Sequence, residues 1–423
     1  MIKYRWVILS LLLFATTINY ADRFLLGLLK DTLMNELDFT EQQYGKVVAA
    51  FQFAYGIGNL AMGFLIDRLG TKMGYLISIV VWSLSSITHA FASSWVHLRI
   101  SRFFLGLGQA GNFPSAVKSV AEWFPKKERA FATGIFNGGS QLGIIIAGFI
   151  IPVVLLKYGW QACFFVTGLL SLIWIVLWLI NYKLPENHKK VDHEELAYIQ
   201  SDQDFSPTSA ENKISHLQLI KHRETWAVVV GKLLADPVWW FYIFWGASFL
   251  NKKFGINIDE IALPLVVIYV TAYAGGIFFG GMSSRLIKKG ISVNRSRKVT
   301  LLACAIVVLP VMFATQVDNG WVAIAFIALA AAGHTGWANN VFTLSSDIFP
   351  GQAVGRVVGL GGAASTFASA LAAVGVGSLL QGAPVEGYVI PFIVAAMGYI
   401  VALGIIQLLV PNIQSINTQK FRK

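Results

Sequence analysis

Twelve apolar stretches of about twenty residues follow one another along the chain, at roughly 6–29, 43–66, 74–94, 97–121, 130–156, 161–182, 226–250, 261–286, 298–316, 320–346, 355–380 and 388–410. A helix of ~20 such residues crosses the ~30 Å hydrocarbon core of a bilayer. Backbone polar groups in lipid must be satisfied inside the segment, and a helix does this. The expected class is an all-α membrane protein with twelve transmembrane helices. Composition agrees: 56% of residues are hydrophobic and only 13% charged, too little polar surface for a soluble fold.

The only long polar tract runs from Pro185 to Lys221, with one short helix expected around His193–Gln200. It separates an amino-terminal six-helix half (1–183) and a connecting loop (184–222) from a carboxy-terminal six-helix half (223–423). Internal repetition supports this division. Gly63-Phe-Leu-Ile-Asp67-Arg68-Leu-Gly70-Thr-Lys72 follows the second span and returns, degraded, as Gly280-Gly-Met-Ser-Ser284-Arg285-Leu-Ile-Lys288-Lys289-Gly290 after the eighth. Glu122-Trp-Phe-Pro125 closes the fourth span, and Asp347-Ile-Phe-Pro350 closes the tenth. The two halves are therefore read as pseudo-symmetric copies.

A formal charge of +11 could point to nucleic acid, but the basic residues form no stripe. They collect in alternate loops. Lys3, Arg5, Arg68, Lys72, Lys126, Lys127, Arg129, Arg285, Lys288, Lys289, Arg295, Arg297, Lys298, Lys420, Arg422 and Lys423 fall on one side. Few fall on the other, so both termini are expected in the cytoplasm of an inner membrane. The thirteen Trp and thirteen Tyr suit interfacial belts. Cys163 and Cys304 sit in apolar segments, so neither a disulfide framework nor a cysteine metal site is implied. The first apolar run follows Lys3 and Arg5 but is too long for a cleaved signal and carries Asp22-Arg23.

Ionisable residues inside such spans are costly and by default functional. Asp22 lies about 25 Å from the start of the first span, and Arg102 returns to the same depth on the fourth, which runs the other way. One acid with Arg23 and Arg102 leaves a net positive pocket. Tyr20 and Arg23 share a face of the first helix, three residues apart. Gln52, Tyr55 and Asn59 recur at helical spacing on the second. Gln109 nearly eclipses Arg102 on the fourth, with Gly106 between them for close approach. Asn137, Ser140 and Gln141 continue a polar stripe on the fifth. Small polar residues also serve helix packing, so a cavity and a packing seam both remain open at each position. Arg23 is the better carboxylate anchor, because a guanidinium offers a planar fork.

The second half offers aromatics and amides. Trp239, Trp240, Tyr242 and Trp245 crowd the seventh span, and His334, Trp337, Asn339, Asn340 and Thr343 lie on the tenth. Indole faces suit the C–H faces of a sugar ring, and amides both donate to and accept from hydroxyls. Asp67-Arg68, Glu122-Arg129 and Asp347-Arg356 sit at cytoplasmic helix ends, where ion pairs would hold the inner side closed. No nucleophile–base pair or metal cluster stands out, so neither an enzyme nor a cofactor is expected.

Twelve spans, a central loop and Gly-x-x-x-Asp-Arg-x-Gly-x-Lys after the second span look like the major facilitator superfamily. Within it the chain resembles the hexuronate transporters of the anion:cation symporter branch over nearly its whole length. The matching stretches are Asn19-Tyr-Ala-Asp-Arg23, Gly111-Asn-Phe-Pro114, Glu122-Trp-Phe-Pro-Lys-Lys-Glu-Arg129, Asp236-Pro-Val-Trp-Trp-Phe-Tyr242, Asn294-Arg-Ser-Arg-Lys298 and Thr343-Leu-Ser-Ser-Asp347. The resemblance implies proton-driven import of a sugar acid by alternating access. It assigns Asp22, Arg102 and the position of Gln109 to proton coupling, with Arg102 the partner of Asp22. It assigns Asp67, Arg68, Glu122, Arg129 and Asp347 to conformational gating. Tyr20, Arg23, Tyr55, Asn137, Ser140, His334, Trp337, Asn339 and Asn340 are the expected substrate contacts. Two positions depart from the pattern: Gln109 where Glu is usual, and Tyr273 where an acid is frequent. Both remove a titratable group, so an exchanger, a uniporter or a Na⁺-coupled carrier of another organic anion such as an aldonate stays open. The expected partners are a small organic anion, a proton and the bilayer, with the chain acting as a monomer and no nucleic acid involved.

Overall fold

A computed structural model describes residues 3–202, 216–383 and 385–416. Lys420, Arg422 and Lys423 of the charge count, and residues 203–215 of the connecting loop, lie outside these. Every regular element among the described residues is helical. Packing divides the chain into two units: Met1–Phe39 with Ala50–Ser209, and Thr40–Ala49 with Ala210–Lys423.

The first unit contains α1 (Tyr4–Leu28), α2 (Lys30–Glu36), most of α3 (Glu41–His89), α4 (Trp95–Gln109), α5 (Asn112–Trp123), α6 (Lys126–Asn181) and α7 (His193–Gln200). The second takes the start of α3 and then α8 (His216–Leu219), α9 (Arg223–Leu233), α10 (Asp236–Phe254), α11 (Ala262–Lys288), α12 (Val293–Val308), α13 (Gly320–Ile348), α14 (Gly351–Leu380) and α15 (Val389–Leu409). The start of α3 joins the second unit through Glu41, which accepts from Lys252 at 2.6 Å, and through Gly45, which lies against Gly377.

Nine helical runs among the described residues are long and apolar enough to cross a membrane. Two of them are double spans. The 49-residue α3 turns back at Gly70 (φ 77°, ψ 163°), and the 56-residue α6 at Gly159 (φ 80°, ψ 172°). That backbone region is open essentially to glycine alone, so each turn is built from one residue. With the broken run α4–α5, the described residues supply the twelve spans. Leu371, Phe64 and Leu408 are among many large apolar side chains left exposed, as a lipid-facing surface requires.

Two spans are broken, one in each unit, and proline explains both. Pro114 and Pro237 lack the N–H for the carbonyl four residues back, and their rings clash with it. The fourth span accordingly stops at Gln109 and resumes at Asn112. The seventh stops at Leu233 and resumes at Asp236. At the second break Ala235 N–H bonds the Lys232 carbonyl instead of that of Gly231. The Gly231 carbonyl is taken by Trp337 Nε1 at 2.8 Å.

In the first unit α1 packs chiefly against α6. Trp174, Trp178 and Tyr182 stack in succession, with centroids 4.8 and 3.9 Å apart. The indole N–H groups of Trp174 and Trp178 donate to the Leu11 and Lys72 carbonyls, so both rings are buried with no polar loss. The expected connector helix is α7, and it is docked. Glu195, buried, accepts from the backbone N–H of Tyr4 and Arg5 at the start of α1. Asp202 accepts from Lys126 and Lys127 N–H at the start of α6. In the second unit α13 is central, packed on α11 and α12, while α9 lies on α14 and α15.

Candidate functional site

The first unit gathers its polar groups around Arg23. That residue is buried on α1, and its guanidinium carbon lies 4.7 Å from the Tyr20 ring centre and 4.5 Å from that of Tyr55. Such cation–π contacts hold a guanidinium in plane at low dielectric. Arg23 Nε donates to Gln109 Oε1 at 2.7 Å, and Gln109 Nε2 donates to the Asn19 carbonyl at 3.2 Å. The break after Gln109 places that amide at the end of α4, where it faces α1. Gly106 lets α4 close on α3: a Cβ there would collide with the Phe51 carbonyl. Asn19 and Gln52 bury both atoms of their amides with no hydrogen-bond partner among the described residues.

Asp22 is held differently from its expectation as the carboxylate of an Arg102 ion pair. Its Oδ1 accepts from Ser86 Oγ at 2.8 Å, and Ser86 in turn meets Thr167 at 3.2 Å. Arg102, fully buried, donates to the Asp22 backbone carbonyl at 3.5 Å from Nη1, and its guanidinium carbon stands 6.0 Å from the Phe51 ring centre. His89 is also buried here, with Nδ1 on the Ser85 carbonyl at 2.6 Å and its ring stacked on Phe164. Ser86, Thr167 and His89 escaped sequence reasoning, because no spacing rule ties residue 22 to residues 86 and 167. Further along α6, Asn137 is exposed, and Ser140 spends its hydroxyl on the Asn137 carbonyl and Gln141 Oε1.

The second unit has its own polar cluster on α9, α10, α13, α14 and α15. Trp239 stacks on His334 with centroids 5.0 Å apart and planes 10° from parallel. His334 Nδ1 meets the Tyr399 hydroxyl at 2.8 Å. Asp236 Oδ2 accepts from Lys232 Nζ at 2.9 Å and from Ser365 Oγ at 2.7 Å. Lys232 was not singled out in the sequence; a basic residue four places before an acid was its one signal. Asn339 is exposed and reaches the Gly276 carbonyl at 3.4 Å, while Asn340 is buried and donates to the Gly336 carbonyl at 2.8 Å. Trp337 is buried with its N–H committed to Gly231, which makes it a support of the helix break rather than a donor to a ligand.

The helix-end charges also find other partners than their sequence neighbours. Asp67 accepts from Lys118 at 2.9 Å, and Arg68 is exposed. Glu122 accepts from Thr71 at 2.6 Å and from the Tyr182 hydroxyl, whereas Arg129 caps α5 through the Phe124 and Ala121 carbonyls. Asp347 pairs not with Arg356 but with Arg297, at 2.7 Å from Nε and 3.5 Å from Nη2, and Arg297 also donates to Ser283. A guanidinium on α12 reaches two helices at once, which a residue nine positions along the chain from Asp347 does not. Among the described residues no group of three or more His, Cys, Asp or Glu converges as metal ligands would.

Over residues 12–373 the chain matches the Major Facilitator Superfamily. It is 33% identical to the hexuronate transporter of Escherichia coli (strain K12) over 378 residues, covering 89% of this chain and 87% of that one. It is also 33% identical to the galacturonate transporter of Dickeya chrysanthemi over 330 residues, 77% of this chain and 95% of that one. A bacterial homolog of the human lysosomal transporter Spinster, solved in an inward-facing and unoccupied conformation, superposes with a TM-score of 0.77 at 16% identity, covering 100% of this chain and 98% of that one. That last likeness is one of fold.

Proposed function

Since the chain belongs to the major facilitator superfamily, and is therefore a multi-pass membrane transporter rather than an enzyme, we propose that it imports a sugar acid of the hexuronate class together with a proton, by alternating access. The observation that carries this reading is Arg23, a buried guanidinium clamped between the Tyr20 and Tyr55 rings inside a membrane span. A planar cation held this way pairs a carboxylate with little further ordering. Asn19, next in sequence to Tyr20, and Gln52, next to Phe51, whose ring centre lies 5.7 Å from the Arg23 guanidinium carbon, add amides that a sugar's hydroxyls would satisfy, each unmet group costing ~1–3 kcal/mol. The names of the hexuronate and galacturonate transporters among its relatives support the same class.

Asp22 is the proton site in this reading. Ser86 donates to its Oδ1, and Arg102 places a positive charge nearby. A substrate carboxylate arriving at Arg23 would offset positive charge near Asp22 and favour its protonation, so anion and proton bind with mutual positive coupling. Trp239 on His334 offers a sugar-compatible face in the second unit. The charge asymmetry of the loops supports an inner-membrane location with cytoplasmic termini. Gln109, which cannot titrate, favours a second reading: an exchanger or a Na⁺-coupled carrier of an organic anion such as an aldonate. Uptake of radiolabelled glucuronate by proteoliposomes, with and without an inward proton gradient, separates them. Accumulation that ignores the gradient would refute proton coupling, and no uptake at all would refute the substrate class.

A further inference from the structure

The second unit carries a hollow that the transport reading leaves unused. It measures about 370 Å³ and is lined by Phe278, Met282, Arg285, Leu286, Lys288 and Lys289, all at the end of α11. Cavities of ~300–1,000 Å³ take small ligands. Phe278, Met282, Arg285, Leu286 and Lys289 follow helical spacing and share one face, which is apolar at one end and basic at the other. The 27 residues of α11 extend ~40 Å, against ~30 Å for the hydrocarbon core, so its last turns stand among lipid headgroups. Arg285, Lys288 and Lys289 are exposed, and among the described residues none has an ion pair or a side-chain hydrogen bond. The sequence repeat explains why. In its first copy Asp67 takes Lys118 at 2.9 Å, and Lys72 donates to the Leu179 carbonyl at 3.2 Å. The second copy has Ser284 in place of the acid, and that hydroxyl turns back to the Gly280 carbonyl. Asp347 does not supply the missing charge, because Arg297 holds it.

Cations alone suit the carboxyl end of a helix. Here they share one hollow with an apolar wall, and a ligand that fits has a negative head and a hydrocarbon tail. We propose that this face of α11 binds an anionic phospholipid, its phosphate on Arg285, Lys288 and Lys289 and its acyl chains along Phe278, Met282 and Leu286. A guanidinium grips a phosphate through two parallel N–H groups, and the two ammonium groups add charge. Basic pockets beside membrane spans take anionic headgroups in this way. The apolar wall separates such a site from diffuse attraction to a charged surface, which fades within a Debye length. The site is complete within the second unit. It is independent of the sugar-acid reading, and either can fail alone.

The test uses the full chain in detergent with equal amounts of dioleoyl phosphatidylglycerol and dioleoyl phosphatidylcholine. Native mass spectrometry reads the ratio of the two lipids retained on the protein. The wild type is expected to favour phosphatidylglycerol. Arg285→Gln/Lys288→Gln/Lys289→Gln should lower the ratio at least tenfold, since each cation at an anionic surface contributes roughly fivefold. Lys183→Gln/Lys189→Gln/Lys221→Gln removes as much charge elsewhere in the chain and should leave the ratio within twofold of the wild type. Inorganic phosphate at the same concentration should displace no phosphatidylglycerol. Equal retention of both lipids by the wild type, an unchanged ratio in the first variant, or an equal fall in the second would overturn the proposal. Displacement by inorganic phosphate would also overturn it, in favour of a free-anion site. If the first variant does not fold, Arg285→Gln alone is compared with the wild type by the Tm shift on adding phosphatidylglycerol. Less than half the wild-type shift is expected, and a full shift would overturn the proposal.

Discussion

Arg23 and Gln109 meet head-on, the guanidinium Nε donating to the amide oxygen at 2.7 Å across α1 and α4. The amide is a neutral placeholder at a spot where a carboxylate would form an ion pair. One proton on Asp22 carried with a monoanion sums to zero net charge, so transport by the unmodified protein should answer to a pH gradient and hardly to voltage. Voltage acts only on net charge, at ~2.3 kcal/mol per charge per 100 mV. In Gln109→Glu the new carboxylate should compete with substrate for Arg23 and add a second proton site, giving inward positive current. Currents on substrate addition to protein-loaded supported membranes check both statements; a robust current from the wild type would sink the first.

Arg23→Lys keeps the charge but loses the fork and its fit between Tyr20 and Tyr55. Binding of glucuronate should weaken at least tenfold in calorimetry, and the wild type should bind glucose poorly. Equal affinity for the acid and the neutral sugar would exclude Arg23 as the anion anchor.

Asp22→Asn retains an acceptor for Ser86 and removes the titrating group. Accumulation driven by a pH gradient should vanish while exchange of internal for external substrate persists. Uphill uptake at the wild-type rate in this variant would assign coupling elsewhere.

Trp337→Phe leaves the Gly231 carbonyl without its donor at the α9–α10 break. The expected cost is stability, ~1–3 kcal/mol for a buried unmet carbonyl, with substrate affinity changed less than twofold. Trp239→Ala should do the reverse, lowering affinity with little loss of Tm. Thermal melts and calorimetry on the two variants test the contrast between support and contact.

The sequence was informative where hydrophobicity alone decides. Span positions and α7 itself follow from runs of apolar residues and one polar tract. Continuity of a span does not: the stretches 97–121 and 226–250 read as unbroken because a hydropathy window ignores what Pro114 and Pro237 do to the carbonyls behind them. Partners were least legible. Asp22 is held by Ser86 and Asp347 by Arg297, pairings set by which helices touch and at what height, and neighbours in sequence such as Arg356 carry no such information. Trp337 and Trp239 look alike in sequence, and only the direction of each ring separates a brace from an open face.

Glu195 and Asp202 hold the starts of α1 and α6 by two backbone N–H groups each. The connecting loop is thus lopsided: its opening portion is property of the first six helices. Anyone cutting this chain into two co-expressed pieces should therefore place the seam beyond Asp202. A seam at the end of the sixth span, which the hydropathy pattern invites, would strip the first piece of both caps and leave two helices with bare amino ends.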